Sequence, residues 1–390
     1  MRLCIISSTF PPQAAGKRCG IGDYTAHLAQ HLAPHNFEID VLTSTSYVGP
    51  EQPAPSTRVL PLIDKWQITT LKKVRDLWRH NAYDWISWQY QPAIYGVKWS
   101  LYNSLLAWLA RRYGRLVTTF HTLTYPSPLS PTRLNAFAMS ALSHQIIVTN
   151  EKHRQELLRL YPKAQNKQRL IPVGSNILPD HEKWQNRQAI YTQMRQKLGI
   201  APHQMLISNF GLIYPDKNLE ALVQAVGQLH AAGHPAHLLL IGQVRPSSQP
   251  YLAEIKSLAQ QAGLENHVIW VHDCPADEVS DYLFASDIYA VPYKDGLTTR
   301  RTSALAGMAH GLPTLSTKGP ATPDIFIAGQ NLLLTPLEDE AALCQALLDL
   351  ATSSEKRHRL GNAARVLSMQ FSWEFIARQF ANVLMETKDS

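Results

Sequence analysis

Strands that alternate with helices along the chain, twice over, constrain this 390-residue sequence more than any other feature. The first round opens with RLCIISSTF, a continuous apolar run of the kind buried on both faces of a parallel sheet. A loop with Gly16, Gly20 and Gly22 follows, then the helical stretch DYTAHLAQHLAPH and the strand EIDVLTS. Further strands are expected at WISWQYQ (85–91), RLVTTFH (115–121), QIIVTN (145–150) and RLIPVG, with helices at about 65–80, 97–113, 131–142 and 151–161. Residues 174–203 are polar and irregular, with one predicted helix over 183–198. The round then restarts. Strands are expected at QMLISNFGLI, AHLLLIG (236–242), HVIWVHD (267–273), IYAVPY (288–293), PTLSTKG and NLLLTP. Helices are expected over 217–232, 250–263, 275–285, 302–310, 338–351, 354–369 and 372–387. Such alternation predicts an α/β protein of two doubly wound, Rossmann-like domains, residues 1–180 and 181–371.

In that fold, ligands bind beyond the carboxyl ends of the strands, where the strand order reverses. The residues that follow strands are therefore the candidates: the glycine loop 16–22, His121, Gly174, Gly211 to Lys217, Gly242 and residues 294–301. The two domains are expected to face one another across a cleft. The segment KDGLTTRRTSALAGMAHGLP (294–313) is the most informative of these. Arg300 and Arg301 stand where its alanine-rich helix begins, at the positive end of a helix dipole. Two cations there are unfavourable unless an anion joins them.

Charge is spread unevenly. Residues 1–183 carry 21 Lys and Arg against 11 Asp and Glu, a net of +10, whereas residues 184–390 carry 16 against 19, a net of −3. An anionic substrate, an anionic membrane surface or nucleic acid all fit a basic half. No recognisable nucleic-acid module accompanies the aromatics, which argues against the last. No run approaches 18 apolar residues, so neither a membrane span nor a signal peptide is expected. Cys4, Cys19, Cys274 and Cys344 form no CxxC pair, which fits reduced thiols in a cytoplasmic protein. The 16 histidines show no HxH or HExxH spacing, and neither a GxSxG elbow nor a P-loop is present. Neither a metal nor a cofactor is expected.

The segments TTFHT, IPVGSNI, FGLIYPDKNLEAL, LLLIGQ, AHGLPTLST and FSWEFIARQF resemble those of GT-B glycosyltransferases of the glycosyltransferase family 4 type. The resemblance covers nearly the whole chain. It implies sugar transfer from a nucleotide diphosphate donor, with retention of anomeric configuration and no metal. It also implies donor binding by the C-terminal domain, acceptor binding by the N-terminal one, and a last helix (about 372–390) that returns to the first domain. Two family glutamates, eight positions apart, fall here on Thr298 and Ala306, and the arginine that often follows the first glycine of the second domain is Leu212.

Those departures shape the candidate site. The family's lysine survives as Lys217, which the resemblance makes a phosphate ligand, a solvated lysine in the turn YPDKN being the alternative. Arg300 and Arg301 are read as relocated phosphate ligands, since guanidinium forks match phosphate oxygens. The alternative is a solvated pair, or one bridged to Asp295. His121, in the TFH match, is expected to touch the donor sugar near the reacting carbon; a structural histidine is the alternative. Gly20 and Gly22 make a GxG start whose third glycine is Thr25, a weak signal on its own. Either it is a tight turn, or its amides approach the donor diphosphate with Lys17 and Arg18 adding charge. Gly211, Gly242, Asp295, Gly296, Thr298 and Thr299 complete the expected donor contacts, with Asp295 a substitute for the first glutamate.

Residues 65–80, DKWQITTLKKVRDLWRH from Asp64, place Trp66, Leu71, Val74 and Leu77 on one face among Lys65, Lys72, Lys73, Arg75 and Arg79. This is either a surface helix packed on the sheet or a docking element for anionic lipid, suited to a glycan or lipid-linked acceptor in cell-surface polysaccharide synthesis. The rivals are a degenerate relative that binds a nucleotide sugar without turnover, a sugar-nucleotide epimerase, and a nicotinamide oxidoreductase. The last would want an acidic ribose ligand after the second strand, and LTSTSY supplies none.

Overall fold

The structure is a computed structural model that describes residues 1–14, 19–92, 95, 102–123, 127 and 130–386. Gly16, Lys17 and Arg18 lie outside the described residues. The chain divides into two compact units, Met1–Gly174 with Trp373–Ser390, and Ser175–Ser372. The linking boundary thus falls at 174/175, against the expected 180/181.

In the first unit the elements run β1 (Arg2–Ile6), α1 (Gly20–Leu32), β2 (Glu38–Ser44), β3 (Thr57–Ile63), α2 (Leu71–His80), β4 (Trp85–Tyr90), α3 (Tyr102–Tyr113), β5 (Arg115–Phe120), α4 (Pro131–Leu142), β6 (Gln145–Val148), α5 (Glu151–Leu160) and β7 (Gln168–Leu170). The strands form one parallel sheet in the order β3-β2-β1-β4-β5-β6-β7. The order reverses between β1 and β4, so the loops after those strands part there. Strand β3 is not foreseen by the alternation of strands and helices. It lies at the sheet edge, where Pro61 is tolerated because its missing N–H faces no second neighbour.

The second unit continues α6 (His181–Lys197), β8 (Met205–Phe210), α7 (Leu219–Ala231), β9 (Ala236–Ile241), α8 (Gln249–Gln261), β10 (Val268–Val271), α9 (Ala276–Phe284), β11 (Ile288–Val291), α10 (Thr302–Ala309), β12 (Thr314–Lys318), β13 (Leu333–Pro336), α11 (Glu340–Thr352) and α12 (Ser354–Ser368). Its sheet is parallel in the order β10-β9-β8-β11-β12-β13, reversing between β8 and β11. Successive strand residues point to opposite faces. Accordingly Leu206, Leu239, Ile241, Tyr289 and Val291 enter one core, and Ile207, Leu238, Leu240, Ile288 and Ala290 enter the other. Both faces are sealed, which is why these strands read as continuous apolar runs.

The final helix, α13 (Trp373–Met385), belongs to the first unit and packs on α1. Trp373 is 1 % exposed and lies against Gly174, where a Cβ would come within 2.8 Å of the indole. Of the two readings of residues 65–80, the structure has the surface helix packed on the sheet. Val74 and Trp78 are buried, and Leu71 and Leu77 pack on the same core. A helix whose apolar stripe already seals a sheet has none left for a membrane. Among the described residues no helix is long and apolar enough to cross a membrane.

Candidate functional site

The strand reversal of the second unit brings two loops together. One runs from Gly211 at the end of β8, the other from Tyr293 beyond β11. Lys217, at the end of the turn Pro215–Lys217 that leads into α7, is 2 % exposed. Its Nζ donates to the Phe210 carbonyl (2.9 Å) and to Ser303 Oγ (3.0 Å), and lies 5.0 Å from the centre of the Tyr293 ring. Burial, and then the nearby Arg301 guanidinium, push the lysine down to about 7. Arg301 precedes the first residue of α10, its guanidinium 4.4 Å over the same tyrosine ring. Its Nη1 donates to Tyr214 Oη (2.7 Å), and its Nη2 is paired with the Asp295 carboxylate. Tyr293 is itself buried and donates or accepts at Ser303 Oγ (2.8 Å). Two basic side chains therefore meet at one aromatic ring, with the Asp295 carboxylate beside Arg301. α10 has no side-chain cap; the Ala304 amide donates to the Arg301 carbonyl (2.8 Å), so among the described residues only the amides of Thr302 and Ser303 at its start are left for an anion.

The two arginines are not equivalent, contrary to the sequence reading. Arg301 joins Lys217, whereas Arg300 is exposed on the preceding turn and stands outside the cluster. Thr298 closes that turn, its carbonyl accepting from the Arg301 amide (3.0 Å), and Thr299 is buried. The glycines have packing reasons of their own. Gly242 has φ +154°, and a Cβ there would sit 1.8 Å from the Gly211 carbonyl oxygen. The amides of both are occupied, Gly211 donating to Ile241 and Gly242 to Val271 (2.9 Å each). They contribute close approach of backbone, and their amides are not open donors. A Cβ on Gly211 would meet Lys217 Nζ at 2.7 Å, so this glycine makes the room that the lysine occupies. Gly296, at φ +89°, packs its backbone on Gly319.

The first unit offers a second set of polar groups at its own strand reversal. Gly20 and Gly22 belong to the first turn of α1 and not to a loop before it. That helix has no side-chain cap, which leaves its leading amides without intrahelical partners. Gly22 lies against Thr9, where a Cβ would come within 2.9 Å of the hydroxyl, while Gly20 faces open space. Among the described residues Ser8 Oγ and Thr9 Oγ1 are buried without a hydrogen-bond partner. His121 follows β5 and is held through Nε2 by Gln89 Oε1 (2.9 Å), with the Tyr24 ring edge-on at 4.7 Å. Burial, and then His153, push it down to about 3, so it is neutral at ordinary pH. With Nε2 donating to the amide oxygen, Nδ1 is left as an acceptor. Trp373 in turn packs on Tyr24 (5.3 Å) and stacks on His27 (4.9 Å).

Tyr214, Tyr293, Ser303, Gln89 and Tyr24 are not identified by sequence reasoning. Gln89 carried a signal, being a polar residue within the apolar strand WISWQY. The tyrosines carried none, because an aromatic residue after a strand, like Tyr214 and Tyr293, or on a helix, like Tyr24, reads as ordinary core.

Comparison with known proteins agrees with this geometry. The family of glycosyl transferases group 1 matches residues 191–367, and glycosyltransferase family 4 matches residues 19–177. A D-inositol 3-phosphate glycosyltransferase of Nocardia farcinica is 23% identical over 96% of this chain and 87% of its own. Among solved structures, a glycosyltransferase from Rickettsia africae superposes with a TM-score of 0.77 at 16% identity, covering 100% of this chain and 99% of that one. Anabaena HepE in complex with UDP and glucose superposes with a TM-score of 0.71 at 17% identity, covering 99% and 100%. With two parallel sheets, family matches on both units and neighbours of this fold, the chain belongs to the GT-B glycosyltransferases of the family 4-like type, enzymes that act on nucleotide-sugar donors.

Proposed function

We propose that the protein is a retaining, metal-independent hexosyltransferase that moves a sugar from a nucleotide diphosphate donor to a glycan or lipid-linked acceptor in cell-surface polysaccharide synthesis. The observation that carries this reading is the pair of cations, Lys217 and Arg301, on the Tyr293 ring at the strand reversal of the second unit. As the bond from the anomeric carbon to the β-phosphate oxygen breaks, the leaving diphosphate gains charge. Fixed cations in a water-poor setting stabilise that charge more than they stabilise the ground state. The amides of Thr302 and Ser303 at the start of α10 add to the same field, and the protein's own cations do what a divalent ion would otherwise do. Retention rests on the resemblance, and has the departing phosphate accept the acceptor's proton on the face it leaves. Neutral His121, with Nδ1 as an acceptor, suits a hydrogen bond from a sugar hydroxyl and not acid catalysis. The UDP bound by the Anabaena neighbour makes UDP-sugars the first donors to test, and the name of the Nocardia relative adds phosphorylated polyols to the acceptors.

The test is a panel of nucleotide sugars read by thermal shift and by nucleoside diphosphate release, with and without chelator, and with the product anomer read by NMR. Release that needs an acceptor, survives chelator and retains configuration is expected. Binding without release would favour a non-catalytic relative, and sugar isomerisation without acceptor an epimerase. Arg301→Ala should weaken donor binding far more than Arg79→Ala; equal effects would sink the phosphate assignment.

A second reading, work at the cytoplasmic face of an anionic membrane, is favoured by a different surface from that of residues 65–80. Leu105 and Trp108 on α3, and Leu134 and Phe137 on the adjoining α4, are 41–56% exposed, with the Arg112 guanidinium 5.8 Å from the Trp108 ring. Large apolar side chains beside arginines suit an anionic lipid interface. Co-sedimentation with phosphatidylglycerol vesicles, lost in Trp108→Ala with Phe137→Ala, supports it; no binding at low salt refutes it.

A further inference from the structure

We propose that Asp295 is an internal stand-in for the donor phosphate on Arg301, and thereby sets how strongly the site takes a diphosphate. The inference rests on the phosphate reading above and extends it to a residue of opposite charge. The Arg301 side chain is 16% exposed and is fixed by the Tyr293 face and the Tyr214 hydroxyl. A guanidinium so desolvated needs an anion. In this structure the anion is Asp295, whose side chain is 63% exposed and reaches Arg301 from the solvent side.

The backbone beneath Asp295 is anchored while its side chain is not. Gly296 packs on Gly319, a Cβ on Gly319 would lie 2.1 Å from the Asp295 carbonyl oxygen, and the Leu297 amide donates to Thr317 (2.9 Å). A rotation about the side-chain bonds therefore releases the carboxylate without moving the loop. The neighbouring cation is not available to it, because Lys294 pairs with Glu220 (2.5 Å). The cluster thus holds two cationic side chains and one removable carboxylate. An anion of one charge only exchanges for Asp295, whereas a diphosphate replaces it and also meets Lys217. Competition of this kind sets a threshold that the added contact with Lys217 overcomes, and keeps Arg301 from being left without an anion between donors.

The experiment is calorimetric titration of Asp295→Asn and Asp295→Ala with UDP, UMP and inorganic pyrophosphate, each variant also made with Arg301→Ala. Removing an exposed partner of a half-buried arginine should tighten UDP about five-fold. The gain should appear for UDP, UMP and pyrophosphate alike, since each must displace the same carboxylate, and should vanish when Arg301 is alanine. Weaker UDP binding in both Asp295 variants would overturn the proposal, since Asp295 would then be holding Arg301 in place for the ligand. Tightening that persists without Arg301 would also overturn it, reducing the effect to general repulsion. If Arg301→Ala alone leaves UDP binding unchanged, the phosphate reading itself fails, a result distinct from both.

Discussion

Raising the pH from 7 to 8.5 should weaken binding of a nucleotide sugar, and the size of the loss follows from Lys217. This lysine is 2 % exposed, donates to the Phe210 carbonyl and the Ser303 hydroxyl, and shares the Tyr293 ring with Arg301. Burial and that guanidinium bring it down to about 7. At pH 7 roughly half the free protein carries the charge, and at pH 8.5 about 3% does. If the bound diphosphate holds the proton, affinity falls about 15-fold over that interval. Titration in buffers of different ionisation heat should show uptake of about half a proton at pH 7, rising toward one. An intact nucleotide sugar is the right probe, because a free diphosphate has a terminal group that titrates near 6. Folding stability should move the other way. The unfolded lysine keeps its proton to about pH 10.4, so between 7 and that value the unfolded chain binds more protons and the contribution to stability grows with pH. Lys217→Met should remove both trends. A flat affinity from pH 7 to 8.5, or the same slope in Lys217→Met, would refute the reasoning.

Three further outcomes are expected. Gly242→Ala should destabilise the second unit by about 2–4 kcal/mol in denaturant titration, because its Cβ would lie 1.8 Å from the Gly211 carbonyl and its φ is positive; a loss under 0.5 kcal/mol would show that the crossing can relax. Trp373→Ala should cost about 3–5 kcal/mol in the first unit, since the indole fills the space between Gly174, Tyr24 and His27; an unchanged denaturation midpoint would show that α13 does not hold it. Acid should destabilise the second unit between about pH 6.5 and 4. His237 and His310 are both pushed down to about 4, chiefly by burial, so the unfolded chain binds more protons in that window. His237, whose two ring nitrogens are buried without a partner among the described residues, is the one to replace. His237→Phe should flatten the acid slope, and an unaltered slope would assign it elsewhere.

The alternation of strands and helices, the two doubly wound sheets and the places where loops leave them were all legible in the sequence. Each is a matter of period and order along contiguous residues, and a strand sealed on both faces writes itself as an apolar run. Lys217 was singled out through the family resemblance, since by itself a lysine in the turn before α7 reads equally as a solvated one. The edge strand β3 was not, because one open side relaxes the demand for apolar residues and admits Pro61. Nor could the sequence separate Arg300 from Arg301, which are neighbours in the chain but differ in surroundings. That difference is made by Tyr214 and Tyr293, from two loops that meet only once β8 and β11 are paired. Likewise Gly211 and Gly242 are required by each other at van der Waals range, and His121 is set by Gln89 from the neighbouring strand. Local order fixes what each segment becomes. Burial, charge state and partner belong to contacts between segments, and only the folded chain decides them.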